Sequence, residues 1–182
     1  MTAIVLAGGR GRRMRADKAG LDVGGRTLLE HVLGQIVPHF DEVLVGVSRG
    51  QRIDLPRGAP RSAVSVVEDE TPGQGPLAGL LAGLRSARNA ACAVIACDIP
   101  EIDLPLLRSL ARAAADSEIA VPVGTSGLYE PLFAVYRRSV VPEIEALLAS
   151  GERSILPLYG RCRTAAVALD DAARLRNLNT RA

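Results

Sequence analysis

The chain has 182 residues, 48% of them apolar, and a formal net charge of +2, the profile of an ordinary globular domain with one well-buried core. So small a charge does not by itself point to a polyanionic partner, and no apolar run approaches the ~20 residues of a membrane-spanning helix. The cysteines Cys92, Cys97 and Cys162 form no C-x-x-C pair and have no histidine at metal-ligand spacing. They read as structural, as do His31 and His39, so zinc is not expected and the expected compartment is the reducing cytoplasm.

In chain order, Ala3 to Leu6 is a short apolar run that stops at glycine, as a buried strand does; it lacks the basic flank of a signal peptide. Gly8 to Gly20 is rich in Gly and Arg without periodicity, a long loop. Thr27-Leu28-Leu29-Glu30 is a capping box, and Leu28, Val32, Gln35 and Ile36 follow at helical spacing up to Pro38. Glu42 to Ser48 reads as a second strand and Ala63 to Val67 as a third, ending at Glu68-Asp69. Pro76 suits the first turn of a helix running from Leu77 to Arg88. Cys92 to Cys97 is a continuous apolar run, hence a central strand, and it ends on Asp98. Asp103 caps the next helix, with Pro105 in its first turn. Glu118 to Val121 and Leu132 to Tyr136 read as strands, Val141 to Ala149 as a helix stopped by Ser150-Gly151, and Thr164 to Leu169 as a last strand.

Strands alternating with helices, and strands apolar throughout, predict an α/β sheet covered on both faces. With no repeat, low-complexity segment or linker, residues 1–182 are expected to form a single domain.

In such sheets ligands bind outside the carboxyl ends of the strands. Three chemically loaded segments fall there. The first strand leads into Leu6-Ala7-Gly8-Gly9-Arg10-Gly11-Arg12-Arg13-Met14, the third into Glu68-Asp69, and the central one into Asp98. Glycines without side chains let backbone N–H groups approach phosphate oxygens, and Arg10, Arg12, Arg13, Arg15 and Lys18 form a cationic cluster matched to a triphosphate. No Gly-Lys-Ser/Thr closes the loop as in a P-loop, and Met14 stands where the dinucleotide fingerprint has its third small residue. Asp98, on a rigid strand end, is placed to bind Mg²⁺, which prefers one or two carboxylates plus phosphate oxygens. Its alternative role, a helix cap, is already filled by Asp103. Gly75-Pro76-Leu77-Ala78-Gly79 puts small residues at a helix start, suited either to close packing on the sheet or to a base, ribose or phosphate. No aromatic residues interleave with the arginines, so nucleic acid is not the expected partner.

These segments, in this order, resemble the molybdenum cofactor guanylyltransferases, the MobA-like nucleotidyltransferases. The family opens close to LAGG-x-S-x-RMG-x-DK; here that stretch runs from Leu6 to Lys18. The likeness continues through Val67-Glu68-Asp69, Gly75 to Gly79, Cys97-Asp98-Ile99-Pro100, Glu130 to Tyr136, Gly151-Glu152-Arg153 and Asn177-Leu178-Asn179-Thr180, covering essentially the whole chain. It implies a Rossmann-like three-layer sandwich with a mostly parallel mixed sheet, of the nucleotide-diphospho-sugar transferase type. It also implies GTP and molybdopterin as substrates and Mg²⁺ as cofactor. Leu6, Ala7, Gly8 and Gly9 then hold guanine and phosphates, with Gly75, Pro76 and Leu77 also on the nucleotide. Lys18 contacts the triphosphate, with Arg13 beside it offsetting charge. Asp69 binds the guanine nucleotide, Asp98 holds the metal, and Asn177 and Asn179 lie on the acceptor side. Transient contacts with molybdenum-insertion and molybdoenzyme-maturation proteins are implied; a membrane or nucleic acid is not.

The chain departs from the family pattern at Gly11 for Ser, at Arg15 for Gly, and at Gly46, where some members carry an Asn that reads the nucleotide. Relatives that use CTP usually open LAAG, so Gly8 favours GTP. The rival readings are another nucleotidyltransferase of the same fold (cytidylyl, sugar-phosphate or phospholactate-type), a non-catalytic nucleotide-binding module, and a basic nucleic-acid binder.

Overall fold

The computed structural model of the chain describes residues 1–8, 20, 25–53, 55, 64–69 and 75–169. Its strands are β1 (Thr2–Leu6), β2 (Glu42–Ser48), β3 (Val64–Asp69), β4 (Ala91–Ala96), β5 (Ile119–Val123), β6 (Phe133–Arg137) and β7 (Thr164–Ala168). Its α-helices are α1 (Leu28–Ile36), α2 (Gly75–Ser86), α3 (Leu104–Ala113) and α4 (Val141–Ala149). The strands form one seven-stranded sheet in the order β3-β2-β1-β4-β6-β5-β7. β1 pairs in parallel with β2 and β4, β2 with β3, and β5 with β7, while β6 runs antiparallel to both its neighbours. This is the mostly parallel mixed sheet that the resemblance implies.

The apolar runs of the sequence explain the layers. Side chains alternate across a strand, so Ala3 and Val5 face one core with α1 and α3, and Ile4 faces a second core with α2 and α4. Both faces of β1, β2 and β4 are therefore buried, which is why these strands read as uninterrupted apolar stretches. β3 lies at the sheet edge and does not share that property: Ser65, Val66 and Glu68 are exposed. Helix α2 lies close on β1, because a Cβ on Gly83 would stand 2.6 Å from Cγ2 of Ile4.

The helix caps follow the sequence closely. Thr27 accepts from the N–H of Glu30, and the Glu30 carboxylate accepts from the N–H of Thr27. Asp103 accepts from the N–H of Leu106 at 3.0 Å. Other limits moved. Glu68 and Asp69 are the last two residues of β3, not the residues after it, because they pair with Val47 and Ser48. Helix α2 ends at Ser86, short of the expected Arg88, whose N–H donates to the Glu42 carboxylate at 2.8 Å. β5 runs on through Pro122. The missing N–H of Pro122 is harmless there, since pairing with β6 stops at Ala120 and the Pro122 carbonyl accepts from Glu130 N–H at 3.0 Å.

At the amino end of the parallel strands, buried Glu42 accepts from Thr2 Oγ1, from the backbone N–H of Arg88 and, at 2.8 Å, from its guanidinium Nε. Asn89 donates to Thr2 Oγ1. This network closes the sheet at the edge opposite the candidate site. Burial pushes the Cys92 thiol up to about 12 and the Cys162 thiol up to about 11, so neither is a reactive thiolate at neutral pH. Among the described residues no helix is long and apolar enough to cross a membrane.

Candidate active site

The registers bring the three loaded segments together. Leu6 lies between Gly46 of β2 and Ala96 of β4, and Ser48 pairs with Asp69, so the carboxyl ends of β3, β2, β1 and β4 form one continuous rim. The strand order reverses at the β1–β4 step: β2 and β3 continue on one side of β1, β4 on the other. That step is where an open α/β sheet leaves a crevice. The start of the glycine loop and Asp98 stand on either side of it.

Hydrogen bonds fix the rim. Ala7 N–H donates to the Gly46 carbonyl at 2.8 Å and Cys97 N–H to the Leu6 carbonyl at 3.1 Å, so each parallel pairing runs one residue beyond the strand. Gln51, absent from the sequence reading, holds the turn after β2. Its Nε2 donates to the Ala7 carbonyl at 3.3 Å, and its Oε1 accepts from Ser48 N–H at 3.1 Å. Gly8 has a structural requirement of its own: a Cβ there would fall 2.8 Å from the Ser48 nitrogen. Its lack of a side chain is needed for the close approach of β2, whatever it does toward phosphate.

Asp98 is half-buried in the turn after β4, closed by Ile99 N–H on the Ala96 carbonyl at 3.3 Å. The segment leading from Asp98 to α3 is pinned by Gln35 of α1. The side-chain amide donates to the Pro100 carbonyl at 2.7 Å and accepts from Ile102 N–H at 3.0 Å. Gln35 was legible only as a polar residue set among apolar ones on the inner face of α1. Among the described residues no group of three or more His, Cys, Asp or Glu side chains could hold a metal. A lone carboxylate on a rigid strand end fits a cation that takes its remaining ligands from phosphates and water, as Mg²⁺ does.

At the start of α2, Gly75 and Pro76 are exposed on the rim, while the Leu77 side chain is fully buried in the α2/α4 core. A Cβ on Gly79 would meet Leu6 Cδ2 at 3.4 Å, so Gly79 serves close packing of α2 on β1. Gly75 has φ +74°, and a Cβ there would stand 3.0 Å from the Arg153 carbonyl oxygen, which places the Gly151-Glu152-Arg153 turn against the helix start. The Glu152 carboxylate accepts from the N–H groups of Arg153 and Ser154 at 2.7 and 2.8 Å and holds that turn. At Gly46, a Cβ would stand 3.0 Å from Leu6 Cδ2, so Leu6 occupies the space that a larger residue there would enter. Gly9, Arg13, Lys18, Asn177 and Asn179 lie outside the described residues.

Beyond Asp98 the rim continues onto the start of β6. Residues Val123 to Tyr129 form a tight turn with Leu128 and Tyr129 exposed. The Tyr129 ring packs on Tyr159 at 4.8 Å between centroids, and the Tyr159 and Tyr136 hydroxyls lie 3.1 Å apart. Tyr136 gives its own proton to the Pro131 carbonyl at 2.8 Å, so Tyr159 is the donor in the pair. Glu130, the residue after Tyr129, is half-buried, and burial raises its carboxyl above the usual carboxylate range.

Comparison with known proteins shows the family and the fold. The model of the MobA-like NTP transferase domain matches residues 3–165. A probable molybdenum cofactor guanylyltransferase of Mycobacterium marinum is 35% identical over 187 aligned residues, with 100% of this chain and 90% of that protein covered. The crystal structure of molybdopterin-guanine dinucleotide biosynthesis protein A from Archaeoglobus fulgidus superposes with a TM-score of 0.76 at 28% identity, covering 92% of this chain and 83% of that one. The fold is also that of a Mycobacterium tuberculosis protein solved in complex with manganese, with a TM-score of 0.65 at 21% identity over 93% of this chain and 88% of that one.

Proposed function

The chain belongs to the MobA-like NTP transferase family, and from that premise we propose that it transfers GMP from GTP to the terminal phosphate of molybdopterin, releasing pyrophosphate and forming molybdopterin guanine dinucleotide. The observation that carries this reading is the single rim on which Leu6 to Gly8, Asp69, the exposed start of α2 and Asp98 converge across the β1–β4 crevice.

An oxygen of the acceptor's phosphate monoester attacks the α-phosphorus of GTP. A new P–O bond forms in line with the bond that breaks, and pyrophosphate leaves with that bond's electron pair. The monoester is already anionic at neutral pH, so the chain needs no general base. Its work is alignment and charge neutralisation. Leu6, Ala7 and the glycines receive the nucleotide, and Asp69 reads it from the end of β3. Lys18 and Arg13 offset charge on the leaving pyrophosphate, and Asn177 and Asn179 face the acceptor. Asp98 would hold a divalent cation, Mg²⁺ in our reading, which when bound neutralises charge on phosphate oxygens. The β4 turn and the Gln35 clamp hold Asp98 ready for it. The expected compartment is the cytoplasm, with transient contacts to molybdenum-insertion and molybdoenzyme-maturation proteins.

The test is pyrophosphate release by the purified chain with Mg²⁺ and molybdopterin, comparing GTP with CTP, ATP and UTP. Release with GTP alone is expected. Release with CTP alone would move the assignment to a cytidylyltransferase. GTP binding with no release from any nucleotide would favour the non-catalytic module.

A further inference from the structure

We propose that Glu130 reads the acceptor, accepting hydrogen bonds from the paired ring N–H and amino groups of an aminopyrimidinone ring whose flat face rests on Leu128 and Tyr129. The inference rests on the transfer reaction above and names the part of the site that selects its second substrate.

Placement is the first argument. β4 and β6 are antiparallel with Ile95 opposite Phe133, and Ala96 N–H still donates to the Leu132 carbonyl at 2.8 Å. Glu130 precedes β6 and Asp98 follows β4, so both stand at the rim end of this antiparallel pair. Gly8 and Asp69 lie on the β1–β3 side of Asp98, and Glu130 on the β6 side. A group that must meet the nucleotide at its α-phosphorus enters from the Glu130 side.

Chemistry is the second. Glu130 is half-buried, and among the described residues its carboxylate has no hydrogen-bond or ion-pair partner. Its backbone, by contrast, is held at both ends: its N–H donates to Pro122 and its carbonyl accepts from Phe133 N–H at 3.1 Å. Pro131 is locked by the Tyr136 hydroxyl, itself held by Tyr159. Glu130 follows Tyr129 directly in the chain, next to the Tyr129–Tyr159 ring pair. A partly desolvated acid on a rigid backbone, without a protein donor, is matched to two adjacent N–H donors of a ligand. Beside it, Leu128 is 69% and Tyr129 37% exposed, and the Tyr129 ring is braced by Tyr159, a preformed surface for a flat heterocycle.

The edge of guanine carries the same donors as that of a pterin, so the experiment separates the two. Steady-state kinetics of Glu130→Gln with GTP and molybdopterin should show the acceptor KM raised about tenfold or more, with GTP KM and thermal midpoint close to wild type. Tyr129→Ala should raise the acceptor KM as well. In parallel, binding of neopterin, followed by its own fluorescence, should be detectable in the wild type and weakened in Glu130→Gln. An unchanged acceptor KM, or a GTP KM that rises as much as the acceptor's, overturns the assignment. So does neopterin that fails to bind the wild type or binds both forms equally. Wild-type chain that transfers no GMP would instead sink the transfer reaction, and the neopterin comparison would still decide the role of Glu130.

Discussion

Ile4 fills the space that a side chain on Gly83 would need: a Cβ there would stand 2.6 Å from Cγ2 and 2.9 Å from Cδ1 of Ile4. Replacing a mid-helix glycine by alanine ordinarily gains up to ~1 kcal/mol. At Gly83 the clash with a fully buried strand residue outweighs that gain, so Gly83→Ala is expected to lose about 1–3 kcal/mol in denaturant unfolding. Gly34, exposed on α1 with nothing within 4 Å of its Cβ position, should show the opposite sign. Stabilisation by both substitutions would mean that α2 lies farther from β1 than described.

Asp98→Ala should abolish GMP transfer while leaving the unfolding midpoint near wild type. Asp103, not Asp98, caps α3, and the turn at Asp98 is held by backbone groups and Gln35. Near-normal turnover in this variant would remove the cation from the mechanism. Chelation with EDTA should stop the wild-type reaction and readdition of Mg²⁺ restore it.

Lys18→Ala should cost more rate than Arg10→Ala or Arg12→Ala, because a positioned cation on the triphosphate contributes more than diffuse loop charge. Initial rates at saturating GTP make the comparison. Equal losses at all three positions would point to a general electrostatic field.

Glu42 supplies a pH signature away from the site. Burial alone raises its carboxyl, but the Thr2 hydroxyl, the Arg88 N–H and the Arg88 charge outweigh this, and its pKa in the folded chain is lowered. A carboxyl lowered on folding stabilises fully above its unfolded value, ~4.3. That stabilisation is lost as pH falls from there through the folded value. Thr2→Ala should therefore raise the pH of acid unfolding. Glu42→Gln should lose about 2 kcal/mol at pH 7, where charged hydrogen bonds are broken, and flatten stability against pH below 5. A Gln variant with wild-type acid unfolding would show that another group sets that transition.

The rim was legible because its parts were local. A strand apolar throughout and stopped by glycine, as Ala3 to Leu6, and one ending on Asp98, as Cys92 to Cys97, declare a buried parallel sheet and its carboxyl edge. The caps at Thr27 and Asp103 are spelled out within four residues each. What escaped depends on partners far away in the chain. Nothing near Phe133 tells that β6 reverses direction, since alternation is the same either way. The strand expected to stop at Val121 runs on through Pro122 to Val123, because the departure of β6 that makes a proline tolerable there is a tertiary event. Gln51 and Gln35 orient the rim through bonds to Ala7 and Pro100, separations of 44 and 65 residues. Leu77, expected on the nucleotide, turns its side chain to the core because α2 must bury one face against Ile4 and α4.

The reversed polarity of β6 has an evolutionary corollary. On the proposed reading, nucleotide contacts come from the outgoing ends of β1, β3 and β4, whereas the opposite wall comes from chain that enters the sheet, ahead of β6. The two walls thus belong to separate stretches of sequence with separate anchors. If Glu130 reads the acceptor, insertions or exchanges between Gly124 and Tyr129 would retune the choice of second substrate without disturbing the half proposed to grip the first. A scaffold divided in this way can hold one donor chemistry constant while its descendants diversify in what they modify.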